Sequence, residues 1–209
     1  MYHSYIKEFL NSFLGGICIA MGGTAYLIVE NKYVGAVLFC VGLLSICYMQ
    51  LSLYTGKIGF LATEHTISNI LKTIICLIGN LLAVILLGRM IAIALPQLCE
   101  TATEMCQSKL ATSHLSLFLK SIMCGILMYI AVWIFKYKTT PMIIFFAIPA
   151  FILSGFEHSI ADAFYFGVSA LLSIDVVIFI IIVLLGNTVG SLLFSILQTL
   201  AIKMGDKHE

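Results

Sequence analysis

Charge is scarce in this sequence. Only 10% of its 209 residues are Asp, Glu, Lys or Arg, while 61% are hydrophobic. A soluble domain carries roughly 25% charged residues, so a soluble core is excluded. The formal net charge of +1 supplies no basic face for nucleic acid and no strong surface field. Catalytic signatures are missing as well. There is no His-Glu-x-x-His, no glycine-rich phosphate loop and no nucleophile elbow, so no enzyme chemistry, cofactor or metal is expected. The chain also begins without a small-residue cleavage site before its first apolar stretch, so no cleavable signal is expected.

Cysteine is present, but not in a pattern that ligates metal. None of the seven stands in a CxxC pair. Cys18, Cys40, Cys47, Cys76 and Cys124 lie singly inside apolar runs, where the side chain acts as a small hydrophobe. Cys99 and Cys106 flank one polar segment and form a candidate disulfide if that segment is exported.

What remains is apolar length. About 20 apolar residues make one transmembrane helix, and a mean hydropathy of +1.11 over the chain leaves room for six with short connections. The spans predicted are about 11–29, a second from near Tyr33 interrupted at 53–59, and a third from near Ile67 to before Pro96. A polar loop at 97–113 follows. The fourth span covers about 114–135, the fifth breaks at 154–157, and the sixth covers about 174–202. With the amino terminus inside, Lys7, Lys57, Lys72, Lys136, Lys138, Lys203 and Lys207 fall on the inner side. Lys32, Lys109 and Arg89 fall towards the outer side. That bias places both termini in the cytoplasm.

The spans divide into two weak copies, about 9–96 and about 114–203. Gly16-Ile17-Cys18-Ile19 in the first span has a counterpart in Gly125-Ile126-Leu127-Met128 of the fourth. The second and fifth spans are the interrupted ones. Gly79-Asn80 in the third span is matched by Gly186-Asn187 in the sixth. An odd number of spans per copy requires opposite topology, and paired broken helices in inverted repeats point to a transport site near the bilayer midplane.

The residues able to carry chemistry cluster at those breaks. Glu157, His158 and Asp162 sit in an otherwise apolar span, where ionisable groups are costly and face a cavity or pathway. His158 can donate a proton or hydrogen bond to a passing anion. Thr55 offers a hydroxyl at the other break, where Gly56 and Gly59 suit irregular backbone with free amides, and Lys57 adds positive charge. Glu157 and Asp162 read as structural, accepting bonds from helix ends or pairing with lysine. Asn80 and Asn187 can brace the broken segments by amide bonding across spans, Asn187 also standing as a pathway candidate. Lys120 either snorkels outward or lends charge to the conduit.

Several of these segments resemble the formate/nitrite transporter family. Gly155-Phe156-Glu157-His158-Ser159-Ile160-Ala161 matches its fifth-helix signature, and Leu53-Tyr54-Thr55-Gly56 resembles its second-helix loop. Leu185-Gly186-Asn187-Thr188-Val189-Gly190 resembles the sixth-helix Gly-Asn motif, and Ile130-Ala131-Val132-Trp133 the end of helix four. The resemblance implies an all-α membrane protein of six helices in two inverted three-helix repeats, aquaporin-like, with helices two and five broken. It implies a homopentamer in a prokaryotic cytoplasmic membrane, with one pore per protomer and His158 facing Thr55. Two apolar slits would flank that pair, with Phe39 and Leu43 on one side, Phe151 on the other, and Met128 also lining a slit. Lys109 would be the vestibule lysine that attracts anions.

The chain departs from the family pattern at three places. Asp162 replaces an asparagine, Gly125 stands where helix four has an asparagine, and Lys57 follows the loop glycine. Asp162 and Lys57 are therefore expected to form a compensated pair. The function expected is a channel or proton-linked facilitator for a small monovalent weak-acid anion, formate first, with hydrosulfide and nitrite open. A neutral-solute or water pore is the further alternative, although neither break carries the Asn-Pro-Ala triplet of the water-channel version.

Overall fold

Four long apolar helices frame the protein. The computed structural model describes residues 2–205; Met1 and Lys207 lie outside them. The long helices are α1 (Tyr2–Ile28), α4 (Ile67–Ala94), α6 (His114–Lys138) and α9 (Ile174–Gly205), each with the length and hydropathy to cross a bilayer. Between them run two broken segments. The first is α2 (Lys32–Tyr48), then α3 (Tyr54–Lys57) and a 3-10 turn over Ile58–Ala62; the second is α7 (Met142–Leu153) followed by α8 (Ser159–Ser169). One further helix, α5 (Gln97–Leu110), joins the halves. Among the described residues there is no strand.

Local sequence sets most boundaries. Asn31 accepts from Tyr33 and Val34 to start α2, Thr66 accepts from Asn69 to start α4, and Ser113 accepts from Ser116 to start α6. α6 ends on Thr139 in the left-handed region. The long helices present apolar residues such as Ile74, Leu82, Leu86, Ile181 and Leu193 outward, as a lipid-facing surface must.

The two breaks are built alike. At the first, Met49 N–H donates to Ser45 O, Gln50 N–H to Cys47 O, and Leu51 N–H to Ile46 O. At the second, Ser154 donates to Ala150, Gly155 to Ile152, and Phe156 to Phe151. Both turns need one residue at positive φ: Gln50 at 55° and Gly155 at 66°. One asparagine then fastens the backbone on the far side of each turn. Asn80 Oδ1 accepts from Tyr54 N–H at 2.8 Å, and its amide donates to Ser12 O and Ser52 O at 2.6 and 3.0 Å. Asn187 Oδ1 accepts from Ser159 N–H at 2.9 Å, and its amide donates to Ser121 O and Glu157 O at 2.9 Å each. Backbone groups freed inside the membrane must find partners within the protein, and one carboxamide per break supplies two of them while its remaining amide hydrogen ties the break to α1 or α6.

Three expectations need correction. The first break lies at 49–53, not 53–59, so Thr55, Gly56 and Lys57 are helical rather than irregular, and the leading amide, of Tyr54, is already taken. Residues 97–110 are not a loop but a helix, with Leu98, Ala102 and Cys106 buried along one face. Cys99 and Cys106 share that helix, and both are free thiols. Gly125, the departure in helix four, sits where a Cβ would come to 2.8 Å from Asn187 Cα; only glycine lets α6 and α9 close to this distance.

Candidate functional site

The ends of α3 and α8 meet inside the protein. Thr55 lies in the single turn of α3, and His158 is the residue that caps α8, with extended backbone at φ −119° and ψ 111°. His158 Nδ1 accepts from Ala161 N–H at 3.1 Å. An acceptor at Nδ1 places the hydrogen of the neutral ring on Nε2. Nε2 lies 2.8 Å from Thr55 Oγ1, so the imidazole donates and the hydroxyl accepts. Thr55 keeps its own hydrogen to give to something else. Both residues are buried, at 3% and 0% exposure.

Apolar side chains close in around this pair. The Phe151 ring stands 5.8 Å from the His158 ring, and Phe39 meets Phe151 edge-on at 6.1 Å. Phe39 and Phe151, expected on opposite sides of the pair, therefore share one cluster. Leu43 follows Phe39 by one turn of α2 and is buried, as is Met128 on α6. A cavity of about 550 Å³ is lined by Leu53, Gly56, Lys57, Val132, Phe135 and Lys136, among others. Leu53 and Val132, both apolar, line this cavity although neither is a candidate on the sequence. Both stand within the family motifs, beside Thr55 and Trp133, which was the available signal.

The charged residues pair differently from expectation. Lys57 Nζ is 2.7 Å from Glu8 Oε1, and Asp162 Oδ1 is 2.9 Å from Lys109 Nζ. The expected pair between Lys57 and Asp162 does not exist. Lys109, which the resemblance made the vestibule lysine that attracts anions, reaches from α5 into α8 and also binds Glu157 Oε2. Burial alone would weaken its ammonium. Asp162 and then Glu157 outweigh that penalty and hold it above the ordinary lysine range. Asp162 Oδ2 is buried with no hydrogen-bond partner.

The remaining candidates take their places. Asn80 and Asn187 are wholly buried with their amide hydrogens committed to the braces, so Asn187 has no donor left for an anion. Tyr54 Oη shares a hydrogen bond with Thr188 Oγ1 at 2.8 Å, a contact between the two halves that sequence did not indicate. Lys120 is half-buried on α6. Among the described residues, no cluster of His, Cys, Asp or Glu is arranged to hold a metal.

Apolar helices on all sides and a buried polar pair where two broken helices meet define an integral membrane protein with an internal polar centre. The model of the formate/nitrite transporter family matches residues 1–201, and the chain belongs to that family. A solved structure described as a pentameric formate channel with formate bound is similar at a TM-score of 0.84 and 23% identity, with 97% of this chain and 98% of that one covered. Another, described as an FNT family ion channel, is similar at 0.79 and 21%, with 95% and 89% covered. No curated protein matches the sequence. At these identities the likeness shows the fold.

Proposed function

We propose that the protein is a channel or proton-linked facilitator for a small monovalent weak-acid anion, formate before hydrosulfide or nitrite, with one pore in each protomer of a homopentamer. The observation that carries this reading is the His158–Thr55 hydrogen bond of 2.8 Å beside the phenyl rings of Phe151 and Phe39. Bare charge crosses an apolar constriction at great cost, so an anion needs a donor at the point where its water is stripped. Thr55 Oγ1–H is that donor, held in place by His158. The imidazole hydrogen behind it polarises that hydroxyl, so the substrate crosses as a hydrogen-bonded anion or, having taken a proton from water before entry, as the neutral acid, the ring remaining neutral throughout.

The membrane helices are read as two inverted three-helix repeats. The matching bond sets of Asn80 and Asn187, and the matching turns at 45–51 and 150–156, support that. Phe39 and Phe151 together form the apolar constriction beside His158, with Leu43 and Met128 as its further candidates, and the cavity beside Gly56 and Lys57 is the vestibule on the cytoplasmic side, where both termini lie. Lys57 and Lys109 both stand beside the path, each tied to carboxylate. The pentameric formate channel with which the chain shares its fold supports both the assembly and the choice of formate.

Flux into proteoliposomes tests the reading. Formate, nitrite, hydrosulfide and acetate are compared over a pH series, with His158→Ala in parallel. Selective uptake that rises towards acid pH and falls about tenfold or more in the variant, the loss expected when a hydrogen bond to a charged group is weakened, is the expected outcome. Uptake of none of the four, or uptake indifferent to His158, would overturn it; water permeation without anion flux would favour the neutral pore.

A further inference from the structure

Lys109 faces two carboxylates rather than one. Glu157 and Asp162 both contact its ammonium, and their side chains are only 5% and 3% exposed. Fully ionised, the three groups carry one negative charge in excess. The other titratable groups around them are Cys106 on α5, Cys124 on α6, Tyr26 on α1, Tyr165 on α8 and His158, whose ring is neutral because its Nδ1 accepts from Ala161 N–H. None of these brings positive charge. An enclosed charge without a counter-ion is strongly disfavoured. The atom that marks the deficit is Asp162 Oδ2, buried and without a partner, with Glu157 adjoining it.

We infer that Asp162 and Glu157 together hold one exchangeable proton beside Lys109, and that release of this proton turns the α5–α8 side of the pathway against entering anions. In the uptake step a proton leaves water and forms an O–H bond on a carboxylate lone pair at Asp162 Oδ2. No bond within the protein breaks, and the cluster passes from a net −1 to neutral. The cluster adjoins the central pair directly: Glu157 precedes His158, and Asp162 N–H donates to His158 O at 2.8 Å. Asp162 is thereby a specificity-determining residue. With the proton bound, an anion meets a neutral wall; without it, the same anion meets a like charge at short range. An asparagine at this position would leave the Lys109–Glu157 pair neutral at every working pH.

The proton itself does not depend on the function proposed above, whereas its effect on anions rests on that reading. The experiment separates them. The full-length protein in proteoliposomes is titrated by pH-difference infrared spectroscopy, and formate uptake is measured in the same preparations, for wild type, Asp162→Asn and Glu157→Gln. A protonated-carboxyl carbonyl band is expected in wild type, shifted in deuterium oxide and lost in both variants. The ratio of Asp162→Asn to wild-type uptake is expected to rise roughly five- to tenfold with pH across that titration, the effect of one unscreened charge near the path. Absence of the band, or a band that both variants retain, overturns the proton site. A band with a flat uptake ratio overturns its role in selecting anions. If formate does not move, the uptake ratio is read with nitrite or hydrosulfide; if none of these moves, the infrared result alone decides the proton site and the proposed function fails. If one variant does not assemble, the other removes the same excess charge. Failure of both would make the second carboxylate a structural requirement and overturn the inference.

Discussion

The two breaks are held by nearly the same bonds and carry different chemistry. Each ends its leading helix with the same three backbone bonds, and each is fastened by one buried asparagine to the same set of partners. Beyond that frame they diverge. The first break leads to a hydroxyl, Thr55, and its nearby Lys57 is paired with Glu8 at the partly open end of the molecule. The second leads to an imidazole and to three enclosed ionisable groups. Scaffold and chemistry are thus separable: what is common to the breaks maintains the fold, and what differs defines the site.

That separation is open to attack, and the largest effect should come from the asymmetric part. Lys109→Ala leaves Glu157 and Asp162 buried without a cation, and a loss of roughly 3–5 kcal/mol in unfolding free energy is expected. SDS titration in mixed micelles measures it. Lys57→Ala, whose side chain is 28% exposed against Glu8, should cost under about 1 kcal/mol in the same assay. Next come the braces. Asn80→Ala and Asn187→Ala each orphan two backbone groups at a break, and each should cost about 3 kcal/mol. The comparison is sharpened if the two values agree within about 0.5 kcal/mol, and broken if one variant is tolerated.

The smallest effect concerns the turns. Gln50 adopts the left-handed conformation that Gly155 adopts at the other break, at a steric cost that glycine does not bear. Gln50→Gly should stabilise the protein by about 0.5–1 kcal/mol, and Gly155→Gln should destabilise it by a similar amount. No atom lies within 4 Å of where a Cβ at Gly155 would project, so the reciprocal change tests backbone strain alone. Unequal magnitudes would mean that something other than φ distinguishes the turns.

These turns also explain what could be read from sequence and what could not. Apolar runs marked α4, α6 and α9 closely, because lipid imposes both length and composition, whereas α1 begins at Tyr2, well before the run that starts near Asn11. The second break was legible, since Gly155 stands at the turn itself and ionisable residues come directly after it. The first was misplaced, because the turn is made by Gln50 and the glycines that drew attention, Gly56 and Gly59, serve close packing instead. α5 was missed for its polar composition, although Leu98, Ala102 and Cys106 at intervals of four residues were a helical signal. The His158–Thr55 pairing was foreshadowed by the family resemblance. The charge pairing was not. Lys109 lies about fifty residues from Glu157 and Asp162, and nothing in the spacing distinguished it from Lys57 as the partner of Asp162.

His158 does two things at once, and this constrains how the chain can drift. Its Nδ1 closes the first turn of α8 while its Nε2 reaches Thr55. Asparagine, aspartate or serine would cap that helix as well as an imidazole does. A descendant released from transport would therefore be expected to shed the ring and keep the cap, with the architecture untouched. An imidazole retained at this position is a mark of continued use, and its replacement by another capping residue in a sister sequence would signal a change of employment without a change of fold.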